Sequence, residues 1–377
     1  MSRSTSSNYS SPSFPMANAA TDAFHKEDVQ QLALALNGHD HTTGKGLGVN
    51  VSSIADNSLS GAKLTDGTVT SAKILDGTIQ SADIAAAGIA NDRLGPDVAR
   101  ANLLTNGGFE IWQRGNGPVT TATFSADRWS MFLAGTDTYS VSKNTANADG
   151  PGACAALTFT LGTGAGGSNF YQPIPTTDNP QLPNRTVSFS IRVRTSTANA
   201  ARPVIYENVG GNHYGSYHTG GGAYETLTFS LAVPSGATTV NCGVAFSASC
   251  TAYLDNACLV VGSQAANYVP LHPADDLARC LRYYEIIGNE NPSAFMSGSA
   301  SGAGQPCYTT FPYKAIKPVA PTVTKNGTWI VGNGGQPALF GGGSTKDAVL
   351  SQSSSAAGQV TAYCNAAGLN LTVEANP

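Results

Sequence analysis

From Val49 onward an aliphatic residue falls at every fifth position: Ile54, Leu59, Leu64, Val69, Ile74, Ile79, Ile84, Ile89 and Leu94. Within this run a ten-residue unit nearly repeats, LTDGTVTSAK followed by ILDGTIQSAD. A period of five matches neither the 3.6 of a helix nor the 2 of a strand. It marks a repeat whose unit is too small to bury its own apolar residue. Two architectures accommodate it: a pentapeptide-type solenoid turning a corner every five residues, or an intertwined trimeric shaft with the aliphatics on a shared axis. The small residues two positions earlier (Ala62, Gly67, Ala72, Gly77, Ala82, Ala87) suit both. The shaft is favoured, because so short a run completes only about two solenoid coils and solenoids need several stacked repeats.

The rest of the chain is organised around this segment. Residues 1–21 are polar, without the apolar centre of a secretory signal, and read as an extended anchor that a partner must order. Over 22–50 the pattern predicts a helix from about Asp22 to Asn37, ended by Gly38, and then a Gly-rich connector. Its stripe of Val29, Leu32, Ala33 and Leu36 is too thin to stand alone in water. The repeat shaft fills 51–98. Strict alternation follows: Val187, Phe189, Ile191 and Val193 against Ser188, Ser190, Arg192 and Arg194, and Leu227, Phe229, Leu231 and Val233 against Thr226, Thr228, Ser230 and Ala232. Leu157, Phe159 and Leu161 alternate likewise, so 99–270 reads as an antiparallel β-sandwich. A helical connector is expected over 271–288 and a small β domain over 289–377. The fold class is mainly β.

Only 12% of the 377 residues are charged, with 42 Gly and 20 Pro, a composition of short strands and many turns. The net charge of −4 without a basic cluster argues against a nucleic-acid partner, and the sequence has no apolar run long enough for membrane insertion. Seven cysteines without a CxxC pair suggest small core residues made in a reducing cytoplasm.

The motifs NLLTNGGFEIWQRG, FSADRW, FSLAVPSGAT and AYLDNACLVVG resemble the jelly-roll, carbohydrate-binding-module-like domain of tailed-bacteriophage tail and head fibres. LARCLRYYE with FPYKAIKPVAPTVT is similar to the segment that commonly follows it, and TDGTVTSAKILDGTIQSADI to shaft repeats upstream of it. The resemblance implies a homotrimeric virion fibre, made in the host cytoplasm. Residues 1–37 would bind phage particle proteins, and the distal sandwich domains would meet a host surface glycan or receptor. The N-terminus matches no specific anchor. A non-enzymatic bacterial surface or secreted carbohydrate-binding protein is the alternative, and a fibre-borne glycosidase the third reading.

The resemblance also implies that Glu110 and Asp255, at the first and last strands of the sandwich, help hold a structural calcium ion. Two carboxylates do not complete its shell, and ordinary turn-capping is the plainer role. His39 and His41 form an HxH motif, and three copies around an axis would offer six imidazoles to a transition metal. A solvated loop is the plainer account of them. Tyr206, His213, Tyr214, Tyr217, His218 and Tyr224 are interleaved with Gly and Asn, the mixture of rings and polar groups that a sugar-binding face needs. Trp112 and Trp129 read as core. No GxSxG elbow, P-loop, HExxH or dinucleotide fingerprint occurs, so no enzyme is expected and no cofactor is required.

Overall fold

A computed structural model describes residues 64–80, 83–84, 100–163, 168–288, 293–340, 344–364 and 369–376. The chain divides into two compact units, residues 1–85 and 86–377. The predicted helix over 22–37, the polar anchor, and His39 and His41 lie outside the described residues.

In the first unit the ten-residue repeat is written in hydrogen bonds. Thr68 closes a turn by donating its amide to the Thr65 carbonyl at 3.0 Å, and ten residues on Thr78 does the same to Leu75 at 3.1 Å. Gly67 and Gly77 take φ of 77° and 79° in these turns, a conformation that excludes most side chains. A short 3₁₀ turn, Ser71–Lys73, links them. The aliphatic column is left uncovered by the chain itself: Leu64, Val69, Ile74, Ile79 and Ile84 are between 39% and 56% exposed.

The second unit is mainly β. Its sandwich comprises β1 (Ser130–Phe132), β2 (Thr138–Asn144), β3 (Cys154–Thr160), β4 (Ser168–Pro175), β5 (Thr186–Thr195), β6 (Ala201–Glu207), β7 (Gly211–Tyr214), β8 (Tyr224–Ala232), β9 (Thr239–Phe246) and β10 (Cys250–Val261). Two five-stranded antiparallel sheets result, ordered β1-β4-β9-β6-β7 and β2-β3-β10-β5-β8. Alternation dictates which face is buried: Leu157, Phe159, Val187, Phe189, Ile191 and Val193 turn inward and are at most 1% exposed. Each such side chain contributes about 1.5–3 kcal/mol of burial. Phe229 and Leu231 are only half-buried because β8 is an edge strand, and Leu161 lies beyond the end of β3 and is exposed.

The centre of the core is aromatic. Trp129 is fully buried, with Phe109 at 4.7 Å and Phe170 at 5.7 Å between ring centroids. Asn106 staples the NGGFE and DRW motifs together: its side-chain nitrogen donates to the Ile111 and Asp127 carbonyls, and its backbone carbonyl accepts the Trp129 indole N–H at 3.0 Å. Gly107 is required beside it, since a Cβ there would fall 2.2 Å from the Ala257 carbonyl oxygen.

The connector differs from expectation. Helix α1 spans only Pro273–Leu281, capped by the His272 imidazole, which accepts the Ala274 amide. The helix expected to continue to Ile287 stops there, and Tyr284–Gly288 instead forms β11. Aromatic and β-branched side chains (YYEII) favour the strand, and Asn370–Glu374 (β19) offers it a pairing edge. Within the helix Cys280 is buried, whereas Leu277 is 39% exposed.

The C-terminal part continues with β12 (Ser293–Ala300), β13 (Pro306–Pro312), β14 (Thr322–Lys325), β15 (Ile330–Gly332), β16 (Ala338–Leu339), β17 (Asp347–Ser353) and β18 (Gly358–Cys364). Three small sheets form, β11-β19-β14, β12-β18-β15 and β13-β17-β16, around Met296, Trp329, Leu350, Ala362 and Leu371. Among the described residues six cysteines are free thiols and five of these are buried, as small core residues would be.

Candidate functional site

Strand register assembles the site on the outer face of the β1-β4-β9-β6-β7 sheet. Residues that pair across strands share a face, so three rows can be read across it. One row is Phe132, Asn169, Ala245 and Arg202; the next is Tyr171, Gly243, Val204 and Tyr214; the third is Pro173, Asn241, Tyr206 and Asn212. Small side chains on the central strand, Ala245 and Gly243, lie between larger ones on its neighbours. Gly243 has no substitute, because a Cβ there would meet the Phe170 carbonyl oxygen at 2.0 Å. The result is a groove of about 340 Å³ lined by Phe132, Asn169, Tyr171, Val204, Tyr206, Asn212 and Asn241.

The groove combines ring faces with unused hydrogen-bonding capacity. Asn169 is only 7% exposed and its amide nitrogen donates to Asn212 Oδ1 at 3.3 Å, but its own Oδ1 is buried without a partner. The Oδ1 of Asn241, on the next strand, is buried and unpartnered as well. Buried polar atoms are ordinarily satisfied, and two orphaned acceptors in one groove are a cost that a hydroxyl-bearing ligand removes. Burial also pushes the Tyr171 phenol up, so it stays protonated and can donate.

The six residues read from the sequence separate here. Tyr206 lines the groove. Tyr214 and Tyr217 stand beside it, stacked on the Arg202 guanidinium at 3.7 Å and 4.6 Å. His213 turns away and pairs through Nε2 with the fully buried Glu207 at 2.9 Å. His218 is itself fully buried, its Nε2 3.0 Å from the Val193 carbonyl oxygen and its Nδ1 accepting the Gly220 amide. Tyr224 belongs to the other sheet and donates its hydroxyl to the Asn147 carbonyl at 2.7 Å. Sequence reasoning missed Phe132, Asn169, Tyr171 and Asn241. The alternation of β4, with Phe170, Gln172 and Ile174 inward, was the available signal.

Glu110 and Asp255 meet elsewhere, in a cleft of about 500 Å³ shared with Asp149, Arg192 and Tyr268. Glu110 Oε1 accepts the Ala153 amide at 2.7 Å, and the two Asp255 oxygens accept the amides of Asp149 and Asn256, each at 2.8 Å. Asp149 is held by the Arg192 guanidinium. Burial pushes the Asp255 carboxyl up to about 6; the two amides oppose this, and the charges of Asp149 and Glu110 add to it. The donors are hard oxygens of the class calcium takes. Among the described residues, however, no group of three or more His, Cys, Asp or Glu is arranged to hold a metal ion.

No family model matches the chain, and no curated protein matches it. Among solved structures it is similar to the enzymatically active domain of tailspike protein 4 of bacteriophage CBA120. The identity is 15% over 43% of this chain and 21% of that one, with a TM-score of 0.28. It is also similar to the CBM22-1 xylan-binding domain of Xyn10C from Paenibacillus barcinonensis, at 16% identity over 45% of this chain and 100% of that one, with a TM-score of 0.30. A third is TmCBM61 in complex with β-1,4-galactotriose, at 14% identity over 43% and 100% of the two chains, with a TM-score of 0.28. None superposes closely enough to transfer a residue.

Proposed function

We propose that the chain is a structural attachment fibre of a tailed-phage particle which grips host surface glycans in the groove of the β1-β4-β9-β6-β7 sheet. The observation that carries the glycan reading is the pair of buried, unpartnered oxygens of Asn169 and Asn241 beside Tyr171 and Tyr206. A saccharide presents what this surface lacks: hydroxyl donors for the amide oxygens and an apolar ring face for the phenols. The reading is of a binding surface: glycoside hydrolysis needs paired carboxylates, and no carboxylate is among the described residues that line the groove. The fibre reading rests on the sequence motifs and on the exposed aliphatic column, which three copies would bury on a common axis.

We further propose that Glu110 and Asp255, which meet in one cleft, help hold a structural calcium ion whose remaining ligands are backbone carbonyls. Two experiments test the main reading. On an array of bacterial surface polysaccharides the full chain is expected to bind, and Tyr206→Ala to abolish binding; no binding anywhere sinks the glycan reading. In particles assembled with residues 1–37 deleted, electron microscopy is expected to find the fibre missing. Normal occupancy puts the anchor elsewhere, and a protein never incorporated into particles favours the bacterial alternative.

A further inference from the structure

On the same sheet face as the groove, Arg202 stands as a cation without a counter-ion. Among the described residues no carboxylate lies within ion-pair reach of it and no acceptor takes its N–H groups; its Nε is buried without a partner. Glu207, the acidic residue of the same strand, points to the opposite face and is engaged by His213 and by the amides of Val209 and Gly210. Arg202 is held instead by ring faces, Tyr214 at 3.7 Å and Tyr217 at 4.6 Å. Such stacking orients a guanidinium while leaving its charge unneutralised. Register places it in one row with Asn169, which lines the groove and whose Oδ1 is unpartnered.

We propose that Arg202 makes the groove selective for anionic saccharides, those carrying a uronate carboxylate or a phosphodiester; this rests on the glycan reading of the groove. The chemistry is complementary in two parts. The amide oxygens of Asn169 and Asn241 require donors, which sugar hydroxyls supply. The guanidinium requires a two-pronged acceptor, which a carboxylate or phosphate oxygen pair supplies in a fork geometry that a hydroxyl cannot match. No carboxylate is among the described residues that line the groove, so none of them opposes an anionic ligand.

Binding of three probes to the full chain decides it: oligogalacturonate, the same oligomer with its carboxyls reduced to alcohols, and a phosphodiester-linked glycan. At least one anionic probe is expected to bind about tenfold or more tightly than the reduced oligomer, with a preference that weakens as salt rises. Which anionic probe wins distinguishes carboxylate from phosphodiester. Arg202→Gln is expected to erase the preference, bringing the charged and reduced oligomers to similar affinities. Arg202→Lys, which keeps the charge without the fork, should retain only part of it. Equal affinities for charged and reduced probes, or a preference that survives Arg202→Gln, overturns the inference and leaves the glycan reading standing. Failure of all three probes together with a blank polysaccharide array overturns both.

Discussion

Arg128 places its guanidinium 3.6 Å over the ring of Tyr283. The next residue, Tyr284, receives Arg114 at the same distance of 3.6 Å, so two stacked pairs join the sandwich to the C-terminal β part. Around them Arg128 donates to Asn376 Oδ1 at 2.6 Å and to the Pro173 carbonyl, and Arg114 is paired with Glu374. Asp178 accepts from both Arg282 and Tyr283, each at 2.7 Å. The last residues of the chain are thus bound to a loop of the sandwich more than two hundred positions away.

Removing Arg128 should loosen that joint without unfolding the sandwich core. Arg128→Ala leaves the Asn376 and Pro173 oxygens and the Tyr283 face without their donor, a loss of about 1.5–3 kcal/mol for a charged hydrogen-bonding group. Chemical denaturation should move from one transition to two, and limited proteolysis should cut between residues 262 and 284. A single unshifted transition contradicts the joint.

Tyr206 and His218 lie twelve residues apart in one aromatic-rich stretch, yet they should behave oppositely. Tyr206→Ala is expected to remove glycan binding with a melting temperature within a degree or two of the parent. His218→Ala empties a fully buried position and removes the imidazole's hydrogen bonds to the Val193 carbonyl and the Gly220 amide, costing about 1–3 kcal/mol. Its groove should still bind once folded. Binding lost in the histidine variant at full stability would relocate the site.

How much of this was legible beforehand follows from what each residue depends on. The buried face of β5 could be read from alternation alone, since Val187 to Val193 obey a period of two whatever pairs with them. The groove could not. Asn169 and Asn241 are 72 positions apart in the sequence, and each looks like an ordinary turn or strand residue until pairing sets Pro173 against Asn241 and Tyr171 against Gly243. Topology, which periodicity does not encode, brings them together. The aromatic cluster divides for a similar reason: His213 and His218 share the composition of a binding face, but His213 pairs with the buried Glu207 and the covering chain buries His218. At the connector, Tyr284–Gly288 became a strand because β19 lay beside it, a tertiary override of an apparently helical run.

The repeat segment supports a prediction of assembly. Val69, Ile74 and Ile79 are 50%, 39% and 56% exposed in the single chain, and in the proposed shaft other copies would cover them. Replacing all three by Asp puts like charges on the shared axis, at a cost of several kcal/mol for the set. Light scattering should find trimers for the parent and monomers for the variant, while the sandwich keeps its far-ultraviolet signature. A monomeric parent removes the shaft reading.

Asp255 gives the molecule a pH dependence whose sign separates proton from metal. Its carboxyl is pushed up to about 6 in the folded state, chiefly by burial, from the ordinary value of 3.8. Between those values the native state holds a proton that the unfolded chain releases. The stabilising contribution is therefore full below about pH 4, is lost as pH rises through 6, and amounts to on the order of 3 kcal/mol. Without metal, melting temperatures should fall over this window, and Asp255→Asn should flatten the slope, although it sacrifices one acceptor for the Asp149 or Asn256 amide. Calcium reverses the trend above pH 6, where the carboxylate is charged and free to bind: millimolar calcium should raise the melting temperature there, chelator should restore the metal-free value, and Asp255→Asn should abolish the response. A profile indifferent to calcium from pH 4 to 8, with the slope still dependent on Asp255, leaves the carboxylate as a turn cap and retires the ion.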